Sequence, residues 1–201
     1  MGLPQNCLLR TIEKGRMPKH SLRRLMLSKR RALSPLEVEA HSLRIQQSFM
    51  GSSEFLRAES LALYAPIHHE VDTVALQRRS FFLGKKVLYP VVDGNKLTFR
   101  QIHAASDLEN GAFGIEEPGE KNIIHLPETI DIFVIPGVAF DINGRRIGYG
   151  KGFYDRTLHL LEGCGKFVGL CYDFQLVDEI VGEPHDVTMD LIFSETRIIR
   201  P

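Results

Sequence analysis

Apolar positions near the start of the chain recur with the period of an α-helix. From residue 18 onward, Leu22, Leu25 and Met26 share one stripe with Lys29, and four arginines lie elsewhere on the segment. The segment is therefore predicted to be a basic amphipathic helix. Its pattern leaves three interpretations open: a solvated helix face, a helix that binds nucleic acid or a membrane surface, and an arm that brings cations to phosphates bound elsewhere.

Helix-start signals predict where a second helix begins. Ser34 can cap the helix N-terminus, Pro35 suits the first helical position, and Glu37 can complete a capping box. Elsewhere in the chain, apolar periodicity predicts further helices, and the helix-stop residue Gly163 marks the end of the last one. The predicted helices cover residues 18–31, 34–49, 72–83 and 152–162.

Short continuous apolar runs predict strands that are buried on both faces. They cover residues 60–64, 85–90, 97–99, 130–136, 166–171 and 189–193. Because strands alternate with helices of about ten residues, the expected fold class is α/β: a single domain with a mostly parallel sheet, helices on both faces and right-handed crossovers. The domain is expected to span residues 18–201 and to follow a disordered segment, 1–17.

Composition limits the classes of binding partner and the cellular compartments to be expected. The 25 basic and 25 acidic residues balance, so no global field favours nucleic acid or an anionic membrane. Cys7, Cys164 and Cys171 lack metal-site spacing, which argues against a disulfide framework and a zinc site. We expect a cytoplasmic monomer with a small-molecule partner. An organellar presequence is the alternative, because basic residues outnumber acidic ones before Met17.

The strongest chemical signal is the segment from Asn143 to Arg156, in which four glycines and four cations interleave. It follows an apolar run and precedes a helical segment. Glycines let a backbone approach a ligand closely, and the N–H groups of a loop that opens a helix form a concavity for anions. Polyphosphate is the ligand that suits such a loop best, although the spacing matches neither familiar nucleotide motif. A solvated basic turn is the competing interpretation.

Four side chains elsewhere are candidates for ligand binding. Asp155 and Asp186 could supply the one or two carboxylates that Mg²⁺ takes beside phosphates. Alternatively, Asp155 pairs with Arg156 or is a helix N-terminal acid, and Asp186 is a simple loop acid. Glu70 could accept hydrogen bonds from a heterocycle or be a solvated carboxylate at a helix start. Phe113 could stack on a flat ligand or anchor its loop in the core.

A nucleophile elbow is missing from the sequence, since neither G-x-S-x-G nor C-G-x-C occurs. A basic glycine loop without an evident nucleophile favours phosphoryl transfer by positioning and electrostatics. Two other functions compete with this one: a ligand-binding module without catalysis, and a nucleic-acid-binding protein that uses the basic helix.

The long motif around the glycine loop resembles the signature of the 5-formyltetrahydrofolate cyclo-ligase family. The matching segments are 131–141, Gly144, 146–155, Lys19-x-x-x-Arg23, 70–73, 114–118 and His185-Asp186. The resemblance implies a NagB/RpiA/CoA-transferase-like α/β fold. It also implies closure of 5-formyltetrahydrofolate to 5,10-methenyltetrahydrofolate that depends on ATP and Mg²⁺, releases ADP and phosphate, and passes through an N5-iminium phosphate.

The same resemblance implies roles for individual residues. The residues that would bind ATP are Lys19, Arg23, Arg146, Ile147, Gly148, Tyr149, Gly150, Lys151, Gly152, Phe153 and Tyr154. Those that would contact the folate are Glu70, at the pterin, and Phe113, Tyr149, Gly150, Lys151, Gly152 and Phe153. Arg146, Lys151 and Tyr154 are expected to be catalytic, and Asp155 and Asp186 to hold Mg²⁺.

Overall fold

The computed structural model describes residues 17–183 and 186–201. The predicted disordered segment 1–17 therefore lies outside the described residues, apart from Met17. The helices are α1 (Lys19–Arg31), α2 (Pro35–Met50), α3 (Ser53–Arg57), α4 (Val74–Phe82) and α5 (Phe153–Leu158). Among the helices of the described ranges, none combines the length and the apolar character that a bilayer crossing requires.

The strands form one large sheet and two small ones. They are β1 (Ser60–Ala62), β2 (Lys86–Asp93), β3 (Lys96–Ile102), β4 (Leu108–Asn110), β5 (Glu116–Pro118), β6 (Ile124–His125), β7 (Ile132–Ile135), β8 (Ala139–Asp141), β9 (Arg146–Ile147), β10 (Lys166–Leu170), β11 (Leu176–Val177), β12 (Leu191–Phe193) and β13 (Ile198–Ile199). The large sheet has the order β13-β12-β10-β7-β1-β2-β3-β6. Its middle strands, from β12 to β2, pair in parallel, and both edges are antiparallel.

Strand β7 shows why the sheet is covered on both faces. Its four residues are all buried, and alternate side chains point to opposite faces. Ile132 and Val134 join the core that includes Phe49 of α2, Phe55 of α3 and Leu76 of α4. Phe133 and Ile135 join the second core, which includes Leu158 of α5. The predicted mostly parallel sheet with helices on both faces is confirmed.

Helix α2 begins as the sequence predicts. The Glu37 backbone N–H donates to the Ser34 Oγ at 3.3 Å, and the Ser34 backbone N–H donates to the Glu37 Oε2 at 2.8 Å. Pro35 occupies the first helical position. The predicted capping box is confirmed.

Helix α1 packs against the small sheet β11-β8-β9 through Leu22 and Met26. The predicted apolar stripe is wrong at Leu25, which is 40% exposed. The buried stripe instead runs from Leu22 through Met26 to Arg30, three residues spaced four apart on one narrow face. The stripe is narrow because a small sheet covers only one side of α1. Arg30 therefore points into the protein.

Candidate active site

A cleft of about 570 Å³ opens at the carboxyl ends of the parallel strands. Open α/β sheets place ligands at this edge, because the loops that leave neighbouring strands diverge there. The segments that follow β1 and β7, the end of β2, α1 and the glycine-rich loop all contribute to its lining. Every site residue that the sequence predicted lines this one cleft, including those separated by more than 100 positions in the chain.

The glycine-rich loop enters α5 through Gly152, which has a φ of 69°. The positive φ favours glycine here, and a Cβ at this position would lie 2.7 Å from the Arg156 guanidinium and displace it. Arg156 folds back and donates to the carbonyl oxygens of Asn95 at 2.8 Å and Lys151 at 2.9 Å. These bonds tie the loop to the β2–β3 turn, so that the exposed Lys151 sits on a supported backbone.

Two cations of α1 reach the cleft. The Arg23 Nε donates to the Gly148 carbonyl at 2.8 Å, and the Lys19 Nζ lies 2.9 Å from Asp186 and 3.0 Å from Glu183. Burial opposes the charged form of Lys19, but its hydrogen bonds to the two carboxylates leave its pKa raised. The geometry of α1 thus agrees with the arm interpretation, since its first two turns supply cations to a cleft built by distant residues.

Arg146 is the most enclosed cation of the glycine-rich loop. Its guanidinium lies 2.7 Å from Asp155 and donates to the Val187 carbonyl at 3.2 Å. Its Nε is buried without a hydrogen-bond partner among the described residues. Asp155 lies in the first turn of α5, as one alternative predicted, and its ion pair is with Arg146 rather than Arg156. A buried N–H without a partner can donate to a ligand oxygen without losing an existing hydrogen bond.

Tyr154 adds a neutral hydroxyl to the same part of the cleft. Burial raises its pKa, and the negative charge of Glu70 adds to the effect, while Arg146 opposes it. The phenol therefore keeps its proton at neutral pH and can donate a hydrogen bond.

Phe113 lies over the glycine-rich loop. Its backbone is left-handed, with a φ of 62°, and its side chain is 63% exposed, so the alternative of an anchor in the core is wrong. The Lys151 Nζ sits 3.2 Å from the centroid of its ring, and the Phe153 ring centroid is 6.1 Å away. A cation over a ring face is an attractive contact. The aromatic loop and the glycine-rich loop thus meet across the cleft.

Glu117 supports the loop that carries Phe113. Its carboxylate accepts hydrogen bonds from the backbone of Ala112 and Val92, and burial raises its pKa. Gly111 makes this possible, because a Cβ there would lie 2.6 Å from the Glu117 side chain. The hairpin of β4 and β5 and this carboxylate therefore support the backbone of the loop that carries Phe113.

Glu70 lies at the buried side of the cleft and is only 5% exposed. The alternative of a solvated carboxylate at a helix start is therefore wrong. The Tyr149 hydroxyl donates to its Oε1 and the Ile67 backbone N–H to its Oε2, both at 3.0 Å. Burial raises the pKa of Glu70, while the Arg30 guanidinium, 3.7 Å away, and the two hydrogen bonds oppose that rise.

The backbone that presents Glu70 is unusual. His68 and His69 are both left-handed, with φ values of 49° and 57°, in a turn closed by a 3.0 Å hydrogen bond from the Glu70 N–H to the Ile67 carbonyl. Consecutive left-handed residues other than glycine are uncommon and need support from their surroundings. Arg30 provides it by donating to the His68 carbonyl at 3.0 Å.

Sequence reasoning missed Arg30 and the turn that it supports. The one available signal for Arg30 was its position four residues beyond Met26, on the stripe that begins at Leu22. In a segment with several other arginines, that spacing does not distinguish an inward cation from a solvated one. The left-handed turn had no signal, because His68-His69 contains no glycine or asparagine.

The cleft offers few side chains that could bind a metal ion. Within the described ranges, no group of three or more histidine, cysteine, aspartate or glutamate side chains is arranged to hold an ion. Asp155 and Asp186 both line the cleft and both contact a cation, Arg146 and Lys19 respectively. Mg²⁺ bound to a nucleotide takes most of its oxygens from phosphate and water, so one or two carboxylates at the cleft suit it chemically.

The fold and the cleft together define an α/β protein of the class that binds ligands at the carboxyl edge of a parallel sheet, here with a cationic glycine-rich loop facing a buried carboxylate. The model of the 5-formyltetrahydrofolate cyclo-ligase family matches residues 16–195. The chain belongs to that family.

Solved structures and curated relatives agree with this assignment. The NMR structure of Aquifex aeolicus 5,10-methenyltetrahydrofolate synthetase is 35% identical, with a TM-score of 0.83 over 92% of this chain and 93% of that one. The Mycoplasma pneumoniae 5,10-methenyltetrahydrofolate synthetase is 29% identical, with a TM-score of 0.72 over 89% and 99%. A 5-formyltetrahydrofolate cyclo-ligase of Mycolicibacterium smegmatis is 33% identical over 191 residues, which cover 89% of this chain and 94% of the relative.

Proposed function

We propose that this protein closes 5-formyltetrahydrofolate to 5,10-methenyltetrahydrofolate at the expense of ATP. Membership of the cyclo-ligase family supports the substrate and the product. One structural observation carries the proposal: the glycine-rich loop contacts α1 through Gly148, the buried carboxylate through Tyr149 and the aromatic ring through Lys151. A single loop can therefore touch a phosphate chain and a flat heterocycle that lie side by side.

The reaction needs two bond exchanges. The formyl oxygen attacks the γ-phosphorus of ATP, the bond between that phosphorus and the bridging oxygen breaks, and ADP leaves with the electron pair. N10 then attacks the formyl carbon of the resulting N5-iminium phosphate. The carbon–oxygen bond breaks, phosphate leaves with its electrons, and N10 gives up its proton. The protein's task is to align the two substrates and to neutralise charge that develops on phosphate.

The cations of the cleft suit the phosphate side of this reaction. Lys19 and Arg23 would bind the ATP phosphates, exchanging their present oxygen partners for phosphate oxygens. Arg146 and Lys151 would stabilise charge on the transferring group, and Tyr154 would donate its hydroxyl proton as a hydrogen bond. The backbone from Ile147 to Phe153 would surround the nucleotide and the formyl group, because its glycines leave N–H groups accessible.

The folate side would be formed by Glu70 and Phe113. A carboxylate accepts about four hydrogen bonds, and the two that Glu70 already receives leave acceptor capacity for the amino and ring N–H groups of a pterin. Phe113, with its exposed ring, would contact the flat part of the folate.

Mg²⁺ would be held by Asp155 and Asp186, and when bound it neutralises negative charge on the phosphates. The proposal includes a monomer in the cytoplasm without nucleic-acid or membrane partners. The inward direction of Lys19 and Arg23 supports the absence of a nucleic-acid partner, because these cations are engaged with the cleft rather than with an outer binding surface.

Mixing the protein with ATP, Mg²⁺ and 5-formyltetrahydrofolate and recording the absorbance of the methenyl product tests the proposal. We expect product that depends on ATP, with one ADP released per folate. A folded sample that binds folate in calorimetry and gives no product would contradict catalysis and favour the binding module. An affinity for nucleic acid that falls steeply as the salt concentration rises would favour a nucleic-acid-binding protein that uses the basic helix.

A further inference from the structure

We propose that Arg30 is a positioning residue for the folate side of the cleft, which it organises from behind without touching the ligand. This inference rests on the proposed function, since it assigns a substrate to Glu70. Arg30 is fully buried and is not among the residues that line the cleft. Its effect on a bound folate must therefore pass through Glu70 and Tyr149.

The first observation is the set of backbone groups that Arg30 holds. Its Nε donates to the His68 carbonyl at 3.0 Å, and its terminal nitrogens donate to the carbonyls of Ile67 and Gly137, both at 3.4 Å. His69 also approaches the Arg30 carbonyl, with its Nδ1 3.2 Å away. One guanidinium thus joins the left-handed turn after β1 to the loop after β7. The planar fork of arginine can do this, whereas the single ammonium of lysine cannot.

The second observation is the direction of the hydrogen bonds. An Arg30 terminal nitrogen donates to the Tyr149 hydroxyl oxygen, and a guanidinium has no acceptor. The single hydroxyl proton of Tyr149 must then point to Glu70, whose Oε1 lies 3.0 Å away. Arg30 therefore determines which way the Tyr149 hydroxyl faces. It also keeps that side chain of the glycine-rich loop attached to the buried carboxylate.

The third observation is electrostatic. The Arg30 NH1 lies 3.7 Å from the Glu70 Oε1, and both side chains are almost completely buried. A cation at this distance favours the carboxylate form against the cost of burial. A carboxylate is the form that accepts from two donors of a heterocycle. Arg30 thus supports the shape of the folate side and the charge that it presents.

Steady-state kinetics of Arg30→Met test this role. We expect the KM for 5-formyltetrahydrofolate to rise about tenfold to a hundredfold, the effect of losing a charged hydrogen-bonding partner, while the KM for ATP changes less than about twofold. Arg31→Met removes an exposed arginine from the same helix turn and is the matched control. Wild-type values for both substrates are expected for it. If Arg30→Met matched Arg31→Met, or raised both KM values equally, the positioning role would be wrong.

A second pair of variants keeps the test decisive if Arg30→Met does not fold. Arg30→Lys retains the charge but not the fork, so its KM for folate should lie between those of wild type and Arg30→Met, again without a matching change for ATP. Tyr149→Phe removes the hydroxyl alone, and adding Arg30→Lys to it should raise the KM for folate by less than Arg30→Lys does in wild type. Full additivity of the two changes, or an equal shift for ATP with Arg30→Lys, would overturn the inference.

These outcomes are separable from failure of the proposed function. If the wild-type protein forms no methenyl product, the proposed function fails at the first experiment. If wild type is active and the arginine variants behave like their control, only the role of Arg30 fails.

Discussion

The two sides of the cleft hold their charges in opposite ways. Where the first turn of α1 meets the glycine-rich loop, Lys19 and Lys151 are partly or fully exposed, and their partners are two carboxylates and an aromatic ring. On the other side, Arg30 and Glu70 are almost completely buried and share several hydrogen bonds. Exposed pairs contribute little stability and exchange readily for a ligand, whereas buried networks are costly to disturb.

Two nearby residues of the glycine-rich loop belong to different parts of the cleft. Tyr149 belongs to the buried network, and Lys151, two residues later, belongs to the exchangeable side. A binding site that must be complementary to a flat heterocycle benefits from a fixed wall, because fixed groups need no ordering when the ligand arrives. Phosphate binding tolerates more adjustment, since a flexible lysine can follow a charged group as it moves.

The largest effect is expected from Lys151→Ala. We predict that kcat falls about 100- to 1,000-fold, as for removal of one group that stabilises transition-state charge, while the free energy of unfolding changes by less than about 0.5 kcal/mol because the side chain is exposed. Product absorbance and thermal unfolding measure the two quantities. Lys121→Ala, at an exposed position away from the cleft, should match wild type in both. Near-wild-type turnover of Lys151→Ala would show that this lysine does not act on the phosphate.

Glu70→Gln tests the buried network of Arg30, Glu70 and Tyr149. The amide must place a donor where the carboxylate now accepts from Tyr149 or Ile67, so we expect the KM for folate to rise about tenfold to a hundredfold and stability to fall by about 1–3 kcal/mol. Glu120→Gln, at an exposed position, is the matched control. If the KM for ATP rose as much as the KM for folate, Glu70 would not be specific to the folate side of the cleft.

The same carboxylate predicts a pH dependence. Burial raises the pKa of Glu70 above its ordinary value of 4.5, against the lowering effect of Arg30 and of the hydrogen bonds from Ile67 and Tyr149. Protonation removes acceptor capacity, so the KM for folate should rise as the pH falls through that raised pKa. In Glu70→Gln, this rise of the KM for folate at low pH (the acid limb of the pH profile) should be absent. An identical acid limb in the variant would assign it to another group.

Asp155→Asn tests the proposed metal ligand, and its expected effect is intermediate. We predict that the Mg²⁺ concentration for half-maximal activity rises about tenfold, because a charged oxygen is lost from the proposed ion site. Titrating Mg²⁺ at saturating ATP measures it, and activity at saturating Mg²⁺ controls for disturbance of the Arg146 contact. An unchanged metal dependence would leave Asp155 as the partner of Arg146 alone.

The smallest effect on activity is expected from Lys19→Met. A partly exposed ion pair contributes no more than about 1 kcal/mol, so unfolding should change little. The KM for ATP should still rise by roughly threefold to tenfold if the ammonium binds phosphate. Arg24→Met, on the exposed side of α1, is the control. A loss of stability above 2 kcal/mol in Lys19→Met, by denaturant unfolding, would mean that this side of the cleft is not readily exchangeable.

Much of the fold followed from local patterns. The run Ile132–Ile135 is apolar at every position and forms the central buried strand β7, and Ser34 caps α2 as its spacing with Glu37 predicts. The two-residue strands β9 and β11 were not predicted, because two positions show no periodicity and such strands form only when tertiary packing aligns them.

The site could be predicted where its residues lie in a recognisable motif, and not where they depend on long-range packing. Lys19 and Glu70 belong to short segments of the family signature, and the cleft contains both. Arg30 looks like one more polar residue of a basic helix, since its burial depends on carbonyls that are 37 to 107 positions away. Likewise, one alternative for Asp155 was an ion pair with the neighbouring Arg156, whereas the fold brings Arg146 to it.

Helix α1 has a consequence for how the protein is made. Its side chains contact Tyr149, Gly148 and Asp186 across separations of 119, 125 and 167 residues. At a synthesis rate of about 5–20 residues per second, α1 leaves the ribosome roughly 10 to 30 seconds before the last of these partners exists. The sheet can begin to form during that interval, but the cleft cannot. Catalytic competence therefore cannot precede the synthesis of Asp186, although the first described helix carries part of it.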